Sequence, residues 1–242
     1  MRRVRLGMII PSSNTVVEQE TCALLAGLDG VSAHFSRFKL TQVSVADPAA
    51  AYYDSGLMLE AGKLLADSRC AVITWNGSSG GVVGFERDRR FIAELEAATG
   101  TPATTAALSV VDAFRAFGVR RFGLVTLNPP EMNQRVVAHF AAEGFECVAS
   151  THRTDIADNF TMAEVPPEAL AQAAFECARA RPEAITVFGT NTRGAPVAAQ
   201  LERDLGIPVV DSVAAGVWGA LRRAGVDPRV LRTRGRLFEL AA

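Results

Sequence analysis

Three loops rich in hydroxyl, amide and glycine residues contain the groups best suited to binding a small anion. The first follows an apolar run and contains Ser12, Ser13 and Asn14. The second is Asn-Gly-Ser-Ser-Gly-Gly at residues 76–81, and the third is Gly-Thr-Asn-Thr-Arg-Gly at residues 189–194. Short polar side chains and free N–H groups at such turns can hold a carboxylate or a phosphate. The first loop would serve equally as a helix cap, and the second lacks the lysine of a nucleotide-binding P-loop.

Few residues near these loops are suited to acid–base chemistry. Asp211 ends a short apolar run and would point toward a cleft as a general base, or it would cap the helix that follows. Glu86 follows the second loop, but a surface salt bridge is the simpler interpretation. His152 is expected at the surface. Trp75, next to the second loop, would form either a wall of the site or part of the core.

The four cysteines show no metal-binding or disulfide pattern. Cys22, Cys70, Cys147 and Cys177 are far apart in the sequence and form no CxxC pair. Cys70 precedes a predicted strand, Cys147 begins another, and Cys22 and Cys177 lie in helix-like patterns, all places where cysteine is usually a small apolar residue. A reduced protein with structural cysteines is therefore expected.

Length and charge exclude several classes of protein. The chain has 242 residues, is 49% hydrophobic, and carries 25 Lys plus Arg against 26 Asp plus Glu, for a net charge of -1. This composition is typical of a folded protein with a large core, and it supplies no basic surface for nucleic acid or an anionic membrane. No apolar stretch approaches a signal-peptide core or the roughly 20 residues of a membrane span. We therefore expect a cytoplasmic protein with no nucleic-acid or membrane partner.

Short apolar runs alternate with amphipathic segments, which predicts an α/β fold with parallel sheets. The predicted strands span residues 4–10, 32–39, 71–75, 102–104, 122–126, 146–150, 184–188 and 208–211. The predicted helices span residues 60–68, 91–99, 106–117, 133–143, 167–180, 196–205 and 212–224.

The sequence also repeats itself. Residues 5–10 resemble 121–126, residues 73–78 resemble 185–190, and residues 100–119 resemble 206–226, all in the same order. An internal duplication explains this pattern and predicts two similar α/β halves related by a pseudo-twofold axis. We assign residues 1–104 plus 209–242 to the first half and residues 105–208 to the second. Because ligands bind beyond the carboxyl ends of parallel strands, the site is expected between the halves.

Four segments carry a family resemblance. They are Gly-Met-Ile-Ile-Pro-Ser-Ser-Asn-Thr-Val-Val-Glu at 7–18, Gly-Ser-Ser-Gly at 77–80, Ile-Ala-Asp-Asn at 156–159 and Gly-Thr-Asn at 189–191. In these segments the chain resembles the maleate isomerase and arylmalonate decarboxylase branch of the aspartate/glutamate racemase superfamily. The resemblance implies two flavodoxin-like halves, no metal or organic cofactor, and a homodimer or higher homo-oligomer. It also implies that a small carboxylate binds between the halves to hydroxyls, asparagines and backbone N–H groups.

The resemblance is incomplete where the family carries out its chemistry. Family members use one or two cysteines at equivalent strand ends, and this chain has Gly77 and Gly189 at those positions. The family's tyrosine after the third strand is replaced at or near Asn128. Asn14 and Asn159, by contrast, match asparagines that hold the substrate carboxylates. The resemblance thus implies a retained binding site without the thiols.

These observations lead to one main hypothesis and two alternatives. The main one is a cofactor-independent isomerase or lyase that acts on a small mono- or dicarboxylate without cysteine, with Asp211 as a speculative base. A hydrolase would instead position water in the same cleft, and a carboxylate-binding protein would turn nothing over. The predicted substrate-binding residues are Ser12, Ser13, Asn14, Gly77, Ser78, Ser79, Asn128, Asn159, Gly189, Thr190 and Asn191.

Overall fold

Two four-stranded parallel sheets form the frame of the molecule. The structure is a computed structural model that describes residues 3–40, 55–153 and 158–241. The strand order is β2-β1-β3-β4 in one sheet and β6-β5-β7-β8 in the other. The two sheets therefore share one topology, which agrees with the predicted α/β fold and its repeat. The 2-1-3-4 order is also the beginning of the flavodoxin-like arrangement.

The first sheet and its helices come from the N-terminal part of the chain. Its strands are β1 (Val4–Pro11), β2 (Val31–Phe38), β3 (Val72–Trp75) and β4 (Ala103–Thr105). The helices among them are α1 (Val17–Leu25), α2 (Ser55–Asp67), α3 (Gly80–Val83) and α4 (Phe85–Thr99). The central strands β1 and β3 are almost entirely apolar, and β3 is buried along its whole length, as expected for strands covered on both faces.

The second part of the chain repeats this arrangement. Its strands are β5 (Arg121–Val125), β6 (Glu146–Ser150), β7 (Ala184–Val187) and β8 (Val209–Asp211). Its helices are α5 (Ala106–Phe117), α6 (Pro130–Ala142), α7 (Asn159–Glu164), α8 (Pro167–Ala178), α9 (Ala195–Leu205) and α10 (Ser212–Arg223), and two 3-10 helices follow at Pro228–Arg234 and Arg236–Glu239.

The helix after each sheet's last strand packs on the other sheet. On α5, the Phe114 ring lies 5.2 Å from that of Phe122 on β5. On α10, the position of a Cβ on Gly216 would lie 2.9 Å from Oδ1 of Asn76, directly after β3. The two helices also contact each other, so one hydrophobic core extends through both halves. This exchange of helices explains why no linker separates the halves.

The structure corrects the predicted boundary between the halves by one strand. Residues 209–242 were assigned to the first half, but β8 pairs with β7, with Ile185 opposite Val209 and Val187 opposite Asp211. Only the segment after β8, beginning with α10, packs against the first sheet. The error arose because the sequence marks where a strand lies and not which sheet it joins.

All eight predicted strands are present, and the predicted helix at 106–117 has the observed bounds of α5. The sequence interpretation missed three helices, α1, α3 and α7. Helix α1 contains the polar run Glu-Gln-Glu-Thr-Cys, and α3 and α7 are too short for an apolar period to show.

Among the described residues no helix is long and apolar enough to cross a membrane.

Candidate active site

A cavity of about 110 Å³ lies at the carboxyl ends of the strands, where the two halves meet. It is lined by residues that follow β1, β3, β5 and β7, which is the expected position for a ligand in parallel sheets. Nine of the predicted binding residues line it, namely Asn14, Gly77, Ser78, Ser79, Asn128, Asn159, Gly189, Thr190 and Asn191. Residues 156 and 157 of the matching segments lie outside the described residues.

Ser12 and Ser13 do not line this cavity, contrary to the prediction. The Ser12 hydroxyl donates to the carbonyl of Leu40 at 3.2 Å and accepts from its N–H at 3.0 Å. The Ser13 hydroxyl donates to the same carbonyl at 2.7 Å. Both side chains therefore fix the loop after β1 to the end of β2, and Leu40 itself reaches the cavity wall.

Asn14 joins the two halves at the cavity. Its Oδ1 accepts from the N–H groups of Val16 and Val17, each at 3.0 Å, so it caps the start of α1. Its Nδ2 donates to the carbonyl of Thr190 in the other half at 3.2 Å. The capping alternative is thus confirmed for this loop, and the side chain is committed to protein contacts on both sides.

Two further asparagines extend this connection. Asn159 Nδ2 donates to the Ser13 hydroxyl at 2.7 Å. Asn191 accepts from the N–H of Thr15 through Oδ1 at 3.1 Å and donates to the carbonyl of Asn159 through Nδ2. The three asparagines therefore hold the loops of both halves around the cavity, and Asn159 Oδ1 is left without a partner among the described residues.

The loop after β3 keeps several hydrogen-bond donors uncommitted. The N–H groups of Gly77, Ser78 and Ser79 find no backbone acceptor in the described parts of the chain. The Ser79 hydroxyl is buried and likewise has no partner there. Buried polar groups are normally bonded, so a run of unpaired donors at a cavity points to a bound acceptor. This loop has the features expected of an anion-binding turn.

The matching loop after β7 is held by a residue that the sequence interpretation missed. The N–H of Gly189 donates to the hydroxyl of Ser212 at 3.1 Å, and the Thr192 hydroxyl donates to the carbonyl of Gly189 at 2.7 Å. Ser212 is fully buried at the start of α10. The hydrogen bond between Gly189 and Ser212 joins positions 23 residues apart, so no local sequence pattern predicts it.

Asp211 is not placed to act as the predicted base. It does not line the cavity, and its Oδ1 accepts from the N–H groups of Val213 and Ala214 at 2.8 and 2.9 Å. The side chain therefore caps α10, the alternative considered from the sequence. Burial raises its pKa to about 7, and the nearby Glu20 carboxylate acts in the same direction. Its Oδ2 has no partner in the described chain.

Apart from Asp158 and Thr192, the remaining walls of the cavity are apolar. On the first-half side they are formed by Pro11, Leu40 and Trp75. On the second-half side they are formed by Leu127, Pro129, Met132, Met162 and Phe188. Trp75 is only 1% exposed and also belongs to the core beneath the first sheet, so both interpretations of this residue hold. The cavity thus combines neutral hydrogen-bond donors with an apolar enclosure.

Asp158 is the single titratable side chain among the described residues that line the cavity. Hydrogen bonds from the N–H groups of Thr161 and Phe160 lower its pKa, so it is ionised at neutral pH and caps α7.

The other titratable residues considered from the sequence lie outside the cavity. Glu86 is exposed and pairs with Arg89 at 3.5 Å, and His152 is exposed away from this cavity. No lysine, arginine or histidine is part of the described lining.

None of the four cysteines lines the cavity. Cys22 is exposed on α1, and burial raises the pKa of Cys70. Burial also raises the pKa of Cys147 and of Cys177 to about 11, so both are thiols at neutral pH. The described residues also contain no group of three His, Cys, Asp or Glu side chains that would hold a metal ion.

Sequence comparison identifies relatives that cover almost the whole chain. The chain is 28% identical to arylmalonate decarboxylase of Bordetella bronchiseptica, over 97% of this chain and 96% of that protein. It is 30% identical to maleate isomerase of Nocardia farcinica, over 97% of this chain and 95% of that protein.

Solved structures agree with this result. Maleate isomerase of Pseudomonas putida S16, in a cysteine-to-alanine variant with maleate, matches with a TM-score of 0.89 and 25% identity over 99% of both chains. Arylmalonate decarboxylase matches with a TM-score of 0.79 and 26% identity over 97% of this chain and 99% of that one. The family model for arylmalonate decarboxylase spans residues 6–238. The chain therefore belongs to the arylmalonate decarboxylase family.

Proposed function

We propose that this protein is a cofactor-independent lyase that decarboxylates a small substituted malonate in the cavity between its halves. The observation that carries the proposal is the lining of the cavity, where uncommitted donors on Gly77, Ser78 and Ser79 lie beside apolar walls and no thiol is present. Such donors stabilise negative charge as it develops on a carboxylate. The apolar walls disfavour the ionised ground state of a carboxylate that is about to leave.

The proposed reaction needs no protein nucleophile. The bond between the α-carbon and one carboxylate breaks, and CO₂ leaves. The electron pair moves into the remaining carboxylate, which becomes an enediolate held by the neutral donors. Water then supplies the proton that the α-carbon gains, because Asp158, the titratable side chain of the described lining, is ionised at neutral pH and holds no proton to give. The hydroxide that remains combines with the released CO₂ as bicarbonate.

The same lining argues against thiol-dependent isomerisation. A maleate isomerase of Nocardia farcinica has been solved with a covalently bound succinylcysteine intermediate. We infer that Gly77 and Gly189 occupy the family's cysteine positions here, so an intermediate of that kind has no sulfur on which to form. Decarboxylation differs because the substrate supplies its own leaving group.

Proton NMR in deuterated water tests the proposal directly. We expect 2-methylmalonate or 2-phenylmalonate to lose CO₂ and gain deuterium at the α-carbon, whereas maleate stays unchanged. Ser79→Ala should reduce the rate by roughly 100-fold if its hydroxyl stabilises the enediolate. Ser68→Ala is the matched control, because Ser68 is an exposed serine at the end of α2. Fumarate formation from maleate, or equal rates for both serine variants, would contradict the proposal.

Binding without turnover is the second candidate function. It is favoured by the fact that Asp158, the titratable residue of the described lining, is already committed as a helix cap. Thermal stabilisation by a malonate, with no product in the NMR series, would replace the lyase proposal by this one. Incorporation of ¹⁸O from water into a product would instead identify a hydrolase.

We also infer from the family resemblance that the protein is a homodimer or higher homo-oligomer. Light scattering at two protein concentrations is the test, and a monomeric mass at both would contradict the inference.

A further inference from the structure

The indole of Trp75 occupies the space that a side chain at residue 77 would need. A Cβ on Gly77 would lie 2.1 Å from Cζ2 and 2.4 Å from Cε2 of Trp75. Real Cβ atoms do not approach carbon this closely, so no side chain fits at residue 77 while the ring stays in place. The backbone of Gly77 does not have a positive φ, so the limit is one of space alone.

The ring has little freedom to move aside. Trp75 is the last residue of β3, between Ile9 on β1 and Thr105 on β4. The ring of Phe38 packs against it at a centroid distance of 5.4 Å. A tryptophan fixed at a strand end and supported by a second aromatic ring forms a rigid wall.

The opposite wall is mixed in kind. Besides the rings of Pro129 and Phe188, it contains the unbranched side chains of Met132 and Met162, which can change shape to fit a ligand. On the first-half side, next to the uncommitted donors of the second loop, the Trp75 ring has no such freedom and limits the width of the cavity.

We propose that Trp75 is a specificity-determining residue, because its indole replaces a side chain at residue 77 and limits the width of the carboxylate that the cavity accepts. This inference rests on the proposed function, since it concerns the ligand of the same cavity. It adds that the first half contributes an aromatic wall at the strand end where a side chain of residue 77 would otherwise project.

The first test measures packing and needs no ligand. Gly77→Cys alone should lower the melting temperature by about 5–10 °C, as overpacking does in a protein of this size. In the Trp75→Leu background the same Gly77→Cys change should cost less than half of that shift. Equal shifts in both backgrounds would show that the ring does not fill this space and would overturn the inference.

The second test measures selectivity. We would determine dissociation constants for 2-methylmalonate and 2-phenylmalonate by calorimetry. Trp75→Leu should shift the affinity ratio roughly tenfold or more toward the phenyl compound, because the wider cavity favours the bulkier substituent. Trp218→Leu is the matched control, since Trp218 is also 1% exposed but lies on α10 away from the cavity.

The outcomes separate the inference from the proposed function. A wild-type protein that binds either malonate, together with an unchanged ratio in Trp75→Leu, overturns the inference alone. A ratio that changes equally in Trp218→Leu also overturns it, because general loosening would then explain the effect. Wild-type protein that binds neither compound overturns the proposed function and, with it, the assignment of specificity to Trp75.

Discussion

The loops after β3 and β7 occupy equivalent places in the two sheets, but their glycines have different surroundings. Gly77 lies beneath the ring of Trp75, which leaves no room for a Cβ. A Cβ on Gly189 would lie 3.1 Å from the methyl group of Thr192, which is close but can be relieved by a small shift. The N–H of Gly189 is bonded to Ser212, whereas that of Gly77 has no backbone acceptor in the described chain.

A second difference concerns the carboxylate behind each loop. In the first half, Thr105 caps α5 and donates to Asp88 at 2.6 Å. In the second half, Asp211 itself caps α10, so the carboxylate and the cap are one residue. A Cβ on Gly80 would lie 2.6 Å from Asp88, and one on Gly194 would lie 2.5 Å from Asp211. Each half thus packs a glycine against a buried carboxylate. In the first half the helix cap and the carboxylate are two different residues, whereas in the second half Asp211 is both.

This comparison shows that a duplicated backbone does not imply duplicated chemistry. The first-half loop has free donors and an aromatic wall, which suits it to holding a ligand. The second-half loop is fixed by Ser212, and a Cβ on Gly189 would be crowded only by the Thr192 methyl group. Four predictions test these differences.

Adding one methyl group should separate the two glycines most clearly. Gly77→Ala is expected to destabilise the protein by about 3 kcal/mol, because the ring of Trp75 must be displaced from a packed core. Gly189→Ala should cost no more than about 1 kcal/mol, because a small movement of Thr192 makes room. Urea unfolding of both variants measures the difference. Similar costs at the two positions would show that the loops are equivalent after all.

Asp211 should make stability depend on pH in a way that an asparagine removes. Its pKa rises from 3.8 when exposed to about 7 in the folded protein, because burial disfavours the charged form. Between about pH 4 and pH 7, the folded protein therefore still holds a proton on Asp211 that the unfolded chain has already released. Stability should fall as pH rises through this window, by at most about 1.4 kcal/mol per pH unit from this group.

The matched variants are Asp211→Asn and Asp211→Ala. Asparagine keeps the cap on α10 and cannot ionise, so the fall in stability should be smaller than in the wild type. Alanine also loses the cap and should cost a further 1–2 kcal/mol or so at every pH. Unfolding curves from pH 4 to pH 8 provide the measurement, and parallel pH profiles for the wild type and Asp211→Asn would contradict the assignment.

How far the sequence predicts this molecule can be judged from particular residues. The apolar runs predict the eight strands of the described residues, and the residue types predict the loops that line the cavity, because both properties are local. The direction of Asp211 could be narrowed to two alternatives only, since a strand-end carboxylate can face a cleft or cap the next helix. The contacts of Ser12 with Leu40, of Ser212 with Gly189 and of Trp75 with Gly77 depend on tertiary packing that no local pattern encodes.

Removing Asn14 should weaken the connection between the two loops. Asn14→Ala loses the cap on α1 and the bond to the Thr190 carbonyl, and about 2 kcal/mol of stability should be lost. Asn14→Ser keeps a neutral capping oxygen but has no amide N–H to donate to Thr190. We expect this second variant to lose much of the ligand affinity even though α1 remains capped, because the connection between the halves is gone. Wild-type affinity in Asn14→Ser would limit the residue to its capping role.

The smallest expected effect concerns Ser212 and compares the two loops within one molecule. Ser212→Ala removes the acceptor for the Gly189 N–H and the donor to the Val187 carbonyl at 3.3 Å, and the loss of these two buried hydrogen bonds should cost about 1.5 kcal/mol. Hydrogen exchange should show the change locally, because the Gly189 amide loses its protection while the Gly77 amide, which has no backbone acceptor in the described chain, keeps its rate. Ser212→Cys keeps the shape of the side chain but has a larger atom that is a poorer acceptor, and it should fall between the wild type and alanine. Faster exchange at both glycines would mean that Ser212 supports the whole cleft, whereas a change at Gly189 alone would assign it to the second-half loop.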